Sequence, residues 1–163
     1  MARTAARLGA GDRLPNVTLA MADGSTRRLP GDLTSRFCVI LFYRGYWCPI
    51  SRRQLDAFQS FAPKLGSLGA TILAASADPY EKAQEVAATL SFPVAHGVSR
   101  EVADAIGAWW DADRGIVQPA EFVIGPDRTI RSATYSTGAI GRIDPADVVS
   151  LVQLLAARPS TNA

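Results

Sequence analysis

With only two cysteines and one histidine, this chain of 163 residues has too few ligand side chains for the usual zinc schemes. No metal is expected. Acidic and basic residues nearly cancel, fifteen against seventeen for a net charge of +2, and the arginines are scattered as Arg27-Arg28, Arg52-Arg53 and single sites. A polyanion-binding face wants them clustered, so no nucleic-acid partner is expected. Long apolar runs are missing too. The longest, Phe37 to Tyr43, falls far short of a membrane span, and the first ten residues hold no run of secretory length. A cytoplasmic protein with no membrane contact is the expectation. No Gly-rich phosphate loop follows any predicted strand, which argues against a nucleotide, and no other cofactor is called for.

What is present is a hydrophobic content of 48%, enough for one sizeable core. No repeat, low-complexity tract or Gly/Ser linker interrupts the chain between Gly11 and Ala157. One domain over 10–157 is expected, between loose ends at 1–9 and 158–163.

Asp23-Gly24 lies between the stretches 16–20 and 25–29, a turn signal that predicts an opening hairpin. Phe37 to Tyr43 is apolar throughout, as a strand buried on both faces should be. After Pro49, Leu55, Phe58, Ala62 and Leu65 recur at helical spacing, with Gly66 as the expected stop. A strand over 70–76, a helix from Asp78-Pro79 to Leu90, a short strand over 92–95 and a helix capped by Ser99 follow. Trp109-Trp110 is placed in a loop. The strands 119–124 and 129–135 are joined by a connection too short for a parallel crossover, so they should be antiparallel neighbours. Asp144-Pro145 opens a last helix whose buried side is Val148, Val149, Leu151, Val152 and Leu155. This order predicts an α/β fold: a mixed sheet with helices on both faces and an N-terminal hairpin extension.

Cys48 stands between the apolar strand and the first turn of the helix after it. A helix start offers free N–H groups and a positive dipole end, both of which favour thiolate over thiol. Cys48 is therefore a candidate nucleophile, with Arg44 in the same turn as a second source of positive charge. Ser51, three residues on, is an ordinary first-turn residue or a hydroxyl that donates to the thiolate. It cannot close a disulfide.

The segment Arg44-Gly45-Tyr46-Trp47-Cys48-Pro49, with Ser51 after it and Pro119 before the late hairpin, resembles the active-site region of the thioredoxin fold. The hairpin start, the Phe42-Tyr43 strand end, Ala74-Ala75-Ser76-Ala77-Asp78, Phe122-Val123-Ile124-Gly125-Pro126-Asp127 and the closing Asp144-Pro145 helix are similar to the redoxin branch of alkyl hydroperoxide reductases and peroxiredoxins. The likeness covers roughly residues 10–157 in element order. It has two departures. Peroxiredoxins place a threonine and, three residues later, the peroxidatic cysteine, whereas here Cys48 falls on the threonine position and Ser51 on the cysteine position. They also place an arginine where this chain has Pro119, which instead matches the cis-proline of thioredoxin-type oxidoreductases.

Other residues read more plainly. Cys38 lies about 13 Å from the strand end at ~3.3 Å per residue, too far to resolve an oxidised Cys48, and reads as core. His96 reads as a solvent-facing or locally bonded loop residue, Trp109-Trp110 as core and Arg142 as a solvated surface cation.

The resemblance implies a thiol-dependent oxidoreductase in which Cys48 reduces a peroxide or a disulfide through a sulfenic acid or mixed disulfide. Ser51 would tune the thiolate, and Arg44, Trp47, Pro49 and Pro119 would shape the substrate site. An external thiol such as glutathione or thioredoxin would complete the cycle. Two alternatives stand beside it: a redoxin-fold binding protein without turnover, and a dithiol enzyme in which Ser51 has replaced the second cysteine. Oligomeric state is open, with a homodimer among the options.

Overall fold

The opening alternation becomes a hairpin, β1 (Val17–Met21) pairing antiparallel with β2 (Thr26–Leu29), in a computed structural model that describes residues 6–158. Then follow β3 (Phe37–Phe42), α1 (Pro49–Ser67), β4 (Ala70–Ala75), α2 (Tyr80–Ala87), β5 (Val94–His96) and α3 (Arg100–Ile106). The chain closes with β6 (Trp110–Asp111), β7 (Ile116–Val117), β8 (Ala120–Ile124), β9 (Ile130–Tyr135) and α4 (Pro145–Ala157). Seven strands form one mixed sheet in the order β2-β1-β5-β4-β3-β8-β9. β4 runs parallel to β3 and β5, whereas β8 and β9 complete the sheet antiparallel.

Every residue of β3 is buried because both faces of the sheet are covered. Its side chains alternate between two cores, as a strand's period of two requires. Cys38, Ile40 and Phe42 pack with Phe122 of β8 and Ile106 of α3. Phe37, Val39, Leu41 and Tyr43 face Leu55 and Phe58 of α1, Val86 of α2 and Val148 and Val152 of α4. The ends of α1 and α4 therefore lie on the face that also carries Glu121 of β8, two positions before Val123.

Several boundaries differ from expectation. α1 passes through Gly66 to Ser67, and the reversal falls on Gly69 at φ +81°. α2 ends at Ala87, where Thr89 turns back to bond the Val86 carbonyl through both its N–H and its hydroxyl, and β5 starts two residues late. Trp110 is not in a loop: it forms β6, a two-residue strand paired with β7. Trp109 is exposed, with the Arg7 guanidinium 3.8 Å from its ring centroid, so it is not core. Among the described residues the single cis peptide precedes Pro30, so Pro119 follows a trans bond and does not match the cis-proline of thioredoxin-type enzymes. Of the loose N-terminus expected over 1–9, residues 1–5 lie outside the described residues, while Arg7 donates to the Gly107 carbonyl at 2.7 Å and Leu8 N–H to the Tyr135 hydroxyl at 3.0 Å. All but the first residue of the expected C-terminal tail also lies outside them. No helix among the described residues is long and apolar enough to cross a membrane.

Candidate active site

β3 delivers the chain to a turn that only glycine can make. Gly45 has φ +156°, and a Cβ there would meet Asp78 Oδ1 at 2.8 Å and the Trp47 indole closer still. Asp78, buried beyond β4, accepts the Tyr46 N–H at 2.8 Å, and Cys48 N–H donates to the Gly45 carbonyl at 3.1 Å. Burial pushes the Asp78 carboxyl up, with the Tyr46 N–H acting against it. The turn is thereby fixed before the helix begins.

Cys48 is the N-cap of α1, in extended backbone geometry with Pro49 following it. Its side chain sits where the first N–H groups of the helix have no helical partner. Burial pushes the thiol up, but donors more than offset it: the Ser51 hydroxyl, the Ser51 N–H, Arg44 and the Ile50 N–H bring it down to about 7. The residue is only 2% exposed. Arg44 reaches the sulfur with Nη1 at 3.8 Å and is steered by Nε, which donates to Gln118 Oε1 at 3.1 Å.

Ser51 is fully buried, and its oxygen accepts from Arg44 N–H at 3.2 Å and from Arg142 Nη2 at 3.0 Å. With two bonds accepted, its own hydrogen is the one it gives to sulfur. Arg142 is not a solvated surface cation. It is half-buried ahead of α4, donating through Nε to the Ala139 carbonyl at 2.9 Å and through Nη1 to Gln54 Oε1 at 2.9 Å. Burial works against its charge, and Glu121 and Cys48 work for it. Gln54 in turn donates Nε2 to Glu121 Oε1 at 2.8 Å. Burial raises the Glu121 carboxyl to about 7, against the Gln54 bond and the Arg142 charge.

The residues singled out from the sequence divide in two. Cys48, Ser51, Arg44 and Trp47 come together, with Trp47 at the rim between the Arg44 and Arg114 guanidiniums, 5.1 and 5.4 Å from its ring centroid. Pro49 is an exposed helix opener, and Pro119 is a buried residue whose carbonyl takes the Ser136 N–H. Cys38 is core as expected, its thiol pushed up to about 11 by burial. His96 ends β5 with its ring against Tyr80. Gln54, Gln118 and Glu121 were not singled out, although Glu121 is a lone charge inside the apolar run 120–124 and Gln54 lies one turn beyond Ser51. Those two anomalies were the available signals.

The sequence model of the AhpC/TSA family matches residues 10–133. A protein named peroxiredoxin from Methanothermobacter marburgensis is 26% identical over 151 residues, covering 88% of this chain and 70% of that protein. Among solved structures, peroxidoxin BcpB from Mycobacterium tuberculosis superposes with a TM-score of 0.79 at 22% identity, covering 94% of this chain and all of that one. AhpC of Mycobacterium bovis gives a TM-score of 0.79 at 19% identity, covering 97% of this chain and 99% of that one. At such identities these structures speak for the fold.

Proposed function

This chain belongs to the AhpC/TSA family and is a thiol oxidoreductase of the peroxidase class, and from that premise we propose that Cys48 is its reacting thiol. The observation that carries the reading is the donor cage at the start of α1, which brings the Cys48 thiol to about 7 while Cys38 is held at about 11. A thiolate is the reactive form, so at neutral pH the two cysteines differ sharply in reactivity.

The substrate is a hydroperoxide rather than a protein disulfide. A sulfur in a residue only 2% exposed admits a small electrophile more readily than a folded partner, and the trans bond at Pro119 removes the feature that pointed to disulfide presentation. The Cys48 thiolate attacks one peroxide oxygen, an S–O bond forms and the O–O bond breaks. Sulfur is oxidised by two electrons to sulfenic acid, and the leaving alkoxide takes up a proton from solvent, equivalent to the one the thiol released on ionising. Arg44 and Arg142 are placed to favour the negative charge passing from sulfur to the leaving oxygen. Ser51 offers no second thiol, so an external thiol condenses with the sulfenic acid, releasing water and leaving a mixed disulfide. A second external thiol then frees Cys48 and departs as a disulfide. Glutathione and thioredoxin both have the chemistry required.

Intact mass after brief exposure to peroxide tests this. The wild type should gain one oxygen and Cys48→Ser none. A glutathione adduct from oxidised glutathione, with no oxygen from peroxide, would assign disulfide chemistry instead. No change under either oxidant would support a binding protein.

A further inference from the structure

Glu121 plays no part in the steps above, yet it is fully buried at the back of the site with one carboxyl oxygen, Oε2, unpartnered. Its link to the thiol is a chain of side chains whose polarity is fixed. Arg142 can only donate, so the Gln54 oxygen must face it, and the Gln54 amide hydrogens must then face Glu121. Onward, the same guanidinium bonds Ser51, which touches the sulfur.

We propose that Glu121 is a positioning residue for the thiol reaction: through Gln54 it holds Arg142 on Ser51, and its carboxylate and the Cys48 thiolate are alternative counter-charges for that one cation. Besides Gln54 and Arg142, the Ile143 N–H also acts on the carboxyl, as a neutral donor rather than a second counter-charge. Across the ladder β3 presents Leu41 and β9 presents Thr134, and α1 presents neutral Gln54. The buried α4 residues on this face, Val148, Val149 and Val152, carry no charge, and Tyr43 is a phenol that burial holds neutral. Arg142 is the charge that acts on Glu121, while Arg44 stands on the sulfur side of Arg142.

The arrangement couples oxidation to a proton. While Cys48 is a thiolate it claims the Arg142 charge, and the buried carboxyl stays protonated. Attack on peroxide turns the thiolate into a neutral sulfenic acid and sends out an alkoxide that takes up one proton. Arg142 is then free to stabilise the Glu121 carboxylate, so one proton leaves the carboxyl as one is taken up by the alkoxide, and the charge balance closes.

The inference rests on Cys48 as the reacting thiol, and its test separates the two. Glu121→Gln keeps an acceptor for Gln54 and removes the competing charge. The midpoint of the Cys48 alkylation profile should then move down, raising reactivity near pH 7, where the carboxyl begins to ionise, by up to about twofold. A midpoint that is unmoved or raised overturns the proposal. Infrared difference spectra of the unaltered protein, before and after one equivalent of peroxide at pH 7, provide a second measurement that needs no variant to fold. A protonated-carboxyl band should be lost as Cys48 oxidises, and an unchanged carboxyl region overturns the proposal. If Cys48 takes up no oxygen, the peroxidase reading falls and the alkylation profile still decides the role of Glu121.

Discussion

A guanidinium that serves a thiolate on one side and a carboxyl on the other is useful only if it cannot drift toward either. Arg142 is held by three bonds, to the Ala139 carbonyl, Gln54 and Ser51, and each uses a different nitrogen. Its removal should therefore act on the thiol rather than on the fold as a whole. Arg142→Met keeps much of the aliphatic stem and deletes the charge. The midpoint pH for Cys48 alkylation should rise toward that of an ordinary thiol, and oxidation by peroxide at pH 7 should slow roughly tenfold. Alkylation kinetics with Cys48→Ser as the blank would measure it, and an unchanged midpoint would assign the activation to Arg44 and the helix start alone. Arg142 reads as a surface cation in the sequence because the two side chains it bonds, Gln54 and Ser51, are 88 and 91 residues away along the chain. Cys48 was legible because its activation is mostly local, from the turn before it and the helix after it.

At the level of elements, local chemistry marked starts better than stops. Pro49, Ser99 and Asp144 mark three of the four helix beginnings where they stand, and the Ser99 and Asp144 side chains accept the expected N–H groups. The end of α1 was misplaced because Gly66 can be helical as readily as it can stop a helix, and the tertiary environment decided for Gly69. β6 and β7 were illegible because two residues each carry no periodic signal. The β3–α1 turn is the element on which the site depends, and its glycine is the test. Gly45→Ala must either displace the Trp47 indole and Asp78 or distort the backbone. A loss on the order of 2–4 kcal/mol is expected from such a combined clash and strain. Urea denaturation would show it as a lower midpoint with an unchanged slope. The same variant should lose part of the thiol activation, since Asp78 then no longer sets Tyr46 and the cysteine that follows. A midpoint equal to wild type would mean the turn has slack that its contacts do not reveal.

Taken whole, the molecule buries ionisable groups with opposite preferences, so its stability should not vary smoothly with pH. The two-sided core was readable from the alternation in Phe37 to Tyr43, but the charge inside the sheet was not, because Glu121 acquires its meaning only from α1 and the segment before α4. Its carboxyl, raised from an ordinary 4.5 to about 7, stays protonated in the folded chain while the unfolded chain ionises. Stability should fall as pH climbs through that window, by roughly 3 kcal/mol, and level off above it. Cys48 works the other way. Its thiol is lowered from 9.0 to about 7, so between those values the unfolded chain holds the extra proton and stability rises with pH. Cys38, raised from 9.0 to about 11, reverses the slope again above pH 9. Denaturant midpoints measured from pH 5 to 9 should therefore pass through a minimum near pH 7. Glu121→Gln should remove most of the fall on the acid side of that minimum, and Cys48→Ser the rise on the basic side. A monotonic profile in the wild type would show that the two groups do not titrate in the folded chain as their surroundings dictate.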